Sequence, residues 1–138
     1  MSDISGDWDG VYAYAGRQRN YPPVHFVAAF TVADPADGFV GVITDADAIG
    51  EAGAAGTVEG DAVRFVKTYR WSRAARTDPI HYEGTFSGDG QMAQGTWQIS
   101  QRLLGLFPRR FEGVWWMQRP DQPPIQMVWP PPPQAPER

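Results

Sequence analysis

Lysine occurs once in this chain, at Lys67, within Val63-Arg64-Phe65-Val66-Lys67-Thr68-Tyr69. Alternation puts Val63, Phe65, Lys67 and Tyr69 on one face of an extended segment, with Arg64, Thr68 and Arg70 on the other. The first set is expected to point inward. An ammonium among apolar and aromatic side chains needs a counter-charge and hydrogen-bond acceptors. Asp45, Asp47 and Glu112 are the carboxylates that could supply them. Two readings stay open for this residue. One is a structural ion pair, or a lysine near a mouth that reaches water. The other is a ligand anchor, acting with Tyr12, Tyr14, Tyr69 and Tyr82. Polar groups converging among aromatic rings are what a small-molecule site requires.

Other chemistries find less support. The two histidines, His25 and His81, alternate onto the faces opposite the expected interior. A haem-bearing barrel would need an inward histidine, and only His25 leaves that reading open. No His, Asp or Glu set has metal-ligand spacing, and the chain has no cysteine for a thiolate ligand, nucleophile or disulfide. No serine sits in a nucleophile-elbow motif. Asp45 and Asp47 form an i, i+2 carboxylate pair that could do acid–base work at a mouth. Capping of turn amides is the plainer role for them. No catalytic residue, metal or cofactor is therefore assigned.

The elements that must position these residues are short and extended. Fifteen glycines and thirteen prolines divide the chain, and no segment of helical length keeps a helical period. Strands are expected at Trp8–Ala15, Val24–Ala33, Phe39–Asp45, Ala52–Glu59, Ala62–Arg70, Ile80–Ser87, Met92–Ser100 and Arg109–Gln118. The fourth carries Gly53, Ala54, Ala55 and Gly56, which have little strand propensity. Connections alternate in kind. Asp34-Pro35-Ala36-Asp37-Gly38, Gly60-Asp61 and Gly88-Asp89-Gly90 are tight hairpin turns. Gly16–Pro23, Ala46–Glu51, Trp71–Pro79 and Gln101–Pro108 are longer. In an up-and-down meander every second connection falls at the same end, so short turns close one end and long loops crowd the other. The expected fold is all-β, an eight-stranded antiparallel meander closed into a barrel over residues 1–118. A proline-rich C-terminal tail follows at 119–138, extended in polyproline form; it either packs Ile125, Met127 or Trp129 on the wall or serves as a ligand for an SH3- or WW-type groove, and the first is the plainer role.

Alternation also places Trp97 of the seventh strand and Trp115 of the eighth inside, so these two join Phe65 as candidate ligand-lining residues. Val114 and Trp116 fall on the outer face of the eighth strand, which is too apolar for plain solvent; the tail or a second subunit would cover it. Arg17, Arg19, Arg70, Arg73, Arg76, Arg102, Arg109 and Arg110 crowd the long-loop end, favouring an anionic ligand. The Gly- and Ala-rich stretch from Asp45 to Gly56 would suit a lid. A net charge of −4 argues against a general nucleic-acid binder. No apolar run is long enough to span a bilayer and no leader pattern opens the chain, so a cytoplasmic protein is expected.

Gly6-Asp7-Trp8 resembles the G-x-W that opens the first strand of calycins. Phe30-Thr31-Val32, then Asp37-Gly38-Phe39-Val40-Gly41, resembles the second hairpin of avidin-like barrels. Val63–Tyr69, Tyr82-Glu83-Gly84 and Thr96-Trp97-Gln98-Ile99 continue the likeness. It covers roughly Gly6 to Ile99 and is closer to avidins than to long lipocalins. The resemblance implies a ligand at the wide barrel end with the third-to-fourth-strand loop as lid. Gly10 and Phe65 stand where avidins carry biotin-contacting side chains, so biotin is not the implied ligand. Lipocalins cover the G-x-W tryptophan with an arginine from the last strand, which would be Arg109 or Arg110 here. The functional expectation is a non-catalytic barrel for an anionic or hydrophobic small molecule. An assembly module using the apolar outer face and the tail is the alternative, and a calycin-type enzyme with Lys67 or a tyrosine as general acid is the third.

Overall fold

The computed structural model describes residues 3–16, 19–32, 38–46, 51–69, 79–103 and 107–122, with backbone alone for residues 100–103 and 107–110. Asp47, the arginines Arg17, Arg70, Arg73 and Arg76, the turn residues 34–37 and the tail from 123 onward lie outside the described residues.

Eight strands follow one another: β1 (Gly6–Tyr14), β2 (Val24–Val32), β3 (Gly38–Asp45), β4 (Glu51–Glu59), β5 (Ala62–Tyr69), β6 (Ile80–Phe86), β7 (Met92–Leu103) and β8 (Phe107–Gln118). Each pairs antiparallel with the next, and β1 pairs with β8, so the sheet closes into a barrel. Closure removes the exposed edges that an open sheet must protect. At one end β4 and β5 are joined by Gly60-Asp61, where Gly60 adopts φ 62° and Glu59 stands opposite Ala62. There too, the β6–β7 turn is held by Asp89, which accepts from Ser87 Oγ at 2.6 Å and from the Gln91 amide at 3.0 Å. The long connections lie at the opposite end.

Two stretches depart from the expectation. Residues Gln101–Pro108 are not a long loop: β7 and β8 stay paired out to Leu103 and Phe107. Beyond Gly113, β8 has no β1 residue beside it, so Pro108 lies where only one neighbour needs hydrogen bonds. Likewise Glu51–Gly56, read as part of a lid, lies within β4, a full nine-residue strand. Its small inward residues Ala52 and Ala54 are buried.

The interior is aromatic, and a glycine partners most of its rings. Across the register Phe26 faces Gly10, Phe30 faces Gly41, Phe65 faces Gly56, Trp97 faces Gly113 and Trp115 faces Gly95. A Cβ at Gly10 would fall 2.1 Å from the Phe26 ring, so the ring occupies the place of the missing side chain. Narrow barrels need this alternation of large and small residues to fill without overlap.

The short-turn end is sealed by the chain's two flanks. Ile4 is buried beneath Trp8, whose indole N–H donates to the Ile4 carbonyl at 2.8 Å. Arg119, the first residue after β8, lays its guanidinium 3.9 Å from the Trp8 ring centroid. It also donates to the carbonyls of Asp3 (2.7 Å), Ser5 (2.9 Å) and Asp7 (3.2 Å). Arg119, and not Arg109 or Arg110, is the arginine on this tryptophan. Those two lie on β8 toward the other end, paired with Gln101 and Ser100. Replacing Arg119 with Met should lower stability by about 1–3 kcal/mol, the combined worth of a cation–π contact and charged hydrogen bonds. Arg119→Lys should recover less than half of the loss, since an ammonium cannot both stack and fork. Urea unfolding of the three proteins checks this, and a silent Arg119→Met would contradict it.

Candidate functional site

Lys67 and Asp45 meet inside the barrel at the long-loop end. Asp45 is the last residue of β3, Lys67 sits near the end of β5, and β4 runs between them. The lysine stem can cross β4 because Ala52 and Ala54 leave room; a larger pair there would block it. The ammonium donates to Asp45 Oδ1 at 3.0 Å and Oδ2 at 3.2 Å. Both residues are buried, Lys67 at 0% and Asp45 at 4% exposure. Tyr69 O–H donates a short hydrogen bond to Asp45 Oδ2. Three tyrosine rings surround the ammonium: Nζ lies 4.7 Å from the Tyr12 centroid, 4.8 Å from Tyr69 and 6.0 Å from Tyr82. Ring faces add electrostatic attraction to a desolvated cation. Among the described residues no buried side-chain nitrogen or oxygen is left without a hydrogen-bond partner.

Of the three carboxylates open to Lys67 on sequence, Asp45 is the one that pairs with it. Glu112 is exposed on the outer face of β8, and Asp47 lies outside the described residues. The structure gathers Tyr12, Asp45, Lys67, Tyr69 and Tyr82 into one cluster. Trp97 packs edge-on against Tyr12 and Tyr14 at 6.0 and 5.1 Å, and its N–H donates to the Ala13 carbonyl. Phe65 and Trp115 lie deeper. Phe65 stacks on Tyr82 at 4.7 Å, and Trp115 donates to the Glu83 and Thr96 carbonyls. These deep residues are each less than 5% exposed. Above them, Tyr14, Tyr69, Val24, Ile80 and Phe111 are only partly buried. Tyr21, 53% exposed, packs edge-on against Tyr14 at 5.2 Å. They form a partly exposed, mostly aromatic rim at the long-loop end.

Burial raises the Tyr69 phenol well above its ordinary value, reinforced by Tyr12 and by the Asp45 carboxylate. Tyr82 is raised for the same first reason. Both remain hydrogen-bond donors across the ordinary pH range. His25 and His81 are exposed on the outer wall, and among the described residues no group of three His, Asp or Glu could hold a metal ion. No helix among them is long and apolar enough to cross a membrane. Two open grooves, of about 580 and 480 Å³, lie along the wall; the first borders Phe65, Tyr82 and Trp97 and the second Asp45, while neither includes Lys67 or Tyr69. No protein-family model, curated protein or solved structure matches the chain.

Removing one partner of a buried pair strands the other charge, which costs about 3–5 kcal/mol. Lys67→Met should therefore destabilise by that amount, and adding Asp45→Leu should restore part of it. Denaturant titrations check both; a double variant worse than the single one would contradict the pairing. The tyrosines give a pH signature with a definite sign. Unfolded, their phenols ionise near pH 10; folded, they keep their protons. Stability is thus fully present below about pH 10 and falls as pH rises beyond it, by roughly 1.4 kcal/mol per unit for each such phenol. Tyr69→Phe should make that fall shallower. An unchanged alkaline slope would count against the raised Tyr69.

Proposed function

We propose that this chain is a binding barrel, without catalysis, that takes a small uncharged aromatic or apolar ligand on the rim of its long-loop end. The observation that carries this reading is the contrast between the two ends. One is plugged by Ile4, Trp8 and Arg119. The other exposes part of Tyr14, Tyr69, Ile80 and Phe111 above a polar floor. That floor carries no net charge, because Asp45 already matches Lys67. An anion would gain little from it, which favours the hydrophobic half of the expectation. Ring faces supply the contact area, and a tyrosine hydroxyl supplies orientation. The lysine and the aspartate spend their hydrogen bonds on each other and on Tyr69, which suits a scaffold better than a proton-transfer pair. A calycin-like relationship is also part of this reading. It is supported by the closed meander and by an arginine over the tryptophan of Gly6-Asp7-Trp8.

Nile red, a neutral dye whose emission rises in apolar surroundings, tests the proposal. It should bind saturably, and Tyr14→Ala should weaken binding at least about tenfold, a difference of roughly 1.4 kcal/mol. Val27→Asp on the outer wall should leave it unchanged. Unsaturable binding, or binding lost with Val27→Asp and kept with Tyr14→Ala, would overturn the rim site.

A further inference from the structure

Trp116 points the wrong way for its size. In β8 the inward residues are Phe111, Gly113, Trp115 and Met117, so Trp116 faces outward, level with Val11 of β1 and Gln94 of β7. A tryptophan on a bare wall would be open to solvent, yet this one is 7% exposed. Beside it runs the outer-wall groove of about 480 Å³, crossing β8, β1, β2 and β3. Trp116, Val11 and Val27 give it an apolar lining; His25 and Thr44 lie toward its far side. Val27 is 54% exposed, a large opening for a valine.

The near end of the groove is formed by Gln118, Pro120 and Gln122. There the chain makes a turn, with the Gln122 amide donating to the Arg119 carbonyl at 3.0 Å. The Gln118 side chain donates to the Gln122 carbonyl at 3.4 Å. Gln122 borders this groove, and the residues that follow it lie outside the described ones. Sixteen residues follow, seven of them proline, and Ile125, Met127 and Trp129 alternate among them. An extended segment turns such residues to one side.

We infer that the chain's own segment Pro123–Pro130 occupies this groove, lying across the strands from β8 to β3 with its alternate apolar residues on Val11, Val27 and Trp116. The lengths agree. Three strand spacings amount to about 14 Å. Seven extended residues, from Gln122 to Trp129, reach about 23 Å. Proline-rich segments dock into aromatic-lined grooves because little conformational freedom is lost on binding. Tethering at Gln122 also gives the tail an effective concentration in the millimolar range, which a separate partner would have to match.

The test exploits the absence of cysteine. Val128→Cys in the full-length chain supplies a single thiol for a nitroxide label at the far end of the segment. In a nitrogen-15 spectrum, amide signals of Thr44, Val27 and His25 should broaden, while those of Arg64, His81 and Glu83 on the other wall stay sharp. Adding Val27→Glu should abolish the pattern. Broadening confined to Gln118–Gln122, or spread over both walls, would overturn the inference. So would broadening that persists when labelled and isotope-enriched chains are separate molecules, since a second copy's tail would then fill the groove.

Discussion

A lysine and an aspartate held out of water constrain everything around them. Moving two such charges into a protein interior costs several kcal/mol per ion, and mutual attraction offsets it only when geometry and additional hydrogen bonds are good. The loop end of this barrel meets that demand from five strands. β3 brings the carboxylate, β5 the ammonium and one phenol, and β1 and β6 the other tyrosine rings. β4 contributes by withholding bulk, with alanines under the lysine stem. A one-residue slip in any of these strands would turn its member of the cluster to the outer wall. The pair therefore stabilises little by itself but specifies register strongly, and the candidate binding rim rests on that register.

Volume is the second constraint. An eight-stranded barrel has room for few large side chains, and this one uses many rings. The cross-strand pairing of ring and glycine resolves the conflict: Phe26 over Gly10 and Trp97 over Gly113 each fill space that two ordinary residues would contest. Trp97 and Trp115 also bring N–H groups inside, and strand carbonyls accept both. The result is a filled middle beneath a partly exposed rim. That distribution is why the proposed ligand site is at the rim and not on the axis.

Much of this was legible in the residues because period two is a strong signal. Lys67 reads as inward from Val63, Phe65 and Tyr69 alone. The hairpin turns read from Gly60-Asp61 and Gly88-Asp89-Gly90, where a tight reversal needs those residue types. Three features did not read. Asp45, Asp47 and Glu112 were equivalent partners for Lys67 because the choice depends on a contact across an intervening strand. The weak propensity of Gly53–Gly56 left a lid as a second reading of a stretch that is wholly strand, with small residues that serve the interior. Arg119 follows the last strand directly, and no periodicity indicates that it will fold back on Trp8, 111 positions earlier.

The claim on which the rest stands is that Lys67 is a charged ammonium locked by Asp45. Because the chain has one lysine, a nitrogen-15 spectrum selective for side-chain ammonium groups contains one signal of this kind. It should be visible near neutral pH, with protons exchanging slowly with water, and Asp45→Asn should remove it. A Lys67 ammonium whose protons exchange as fast as those of free lysine would contradict it.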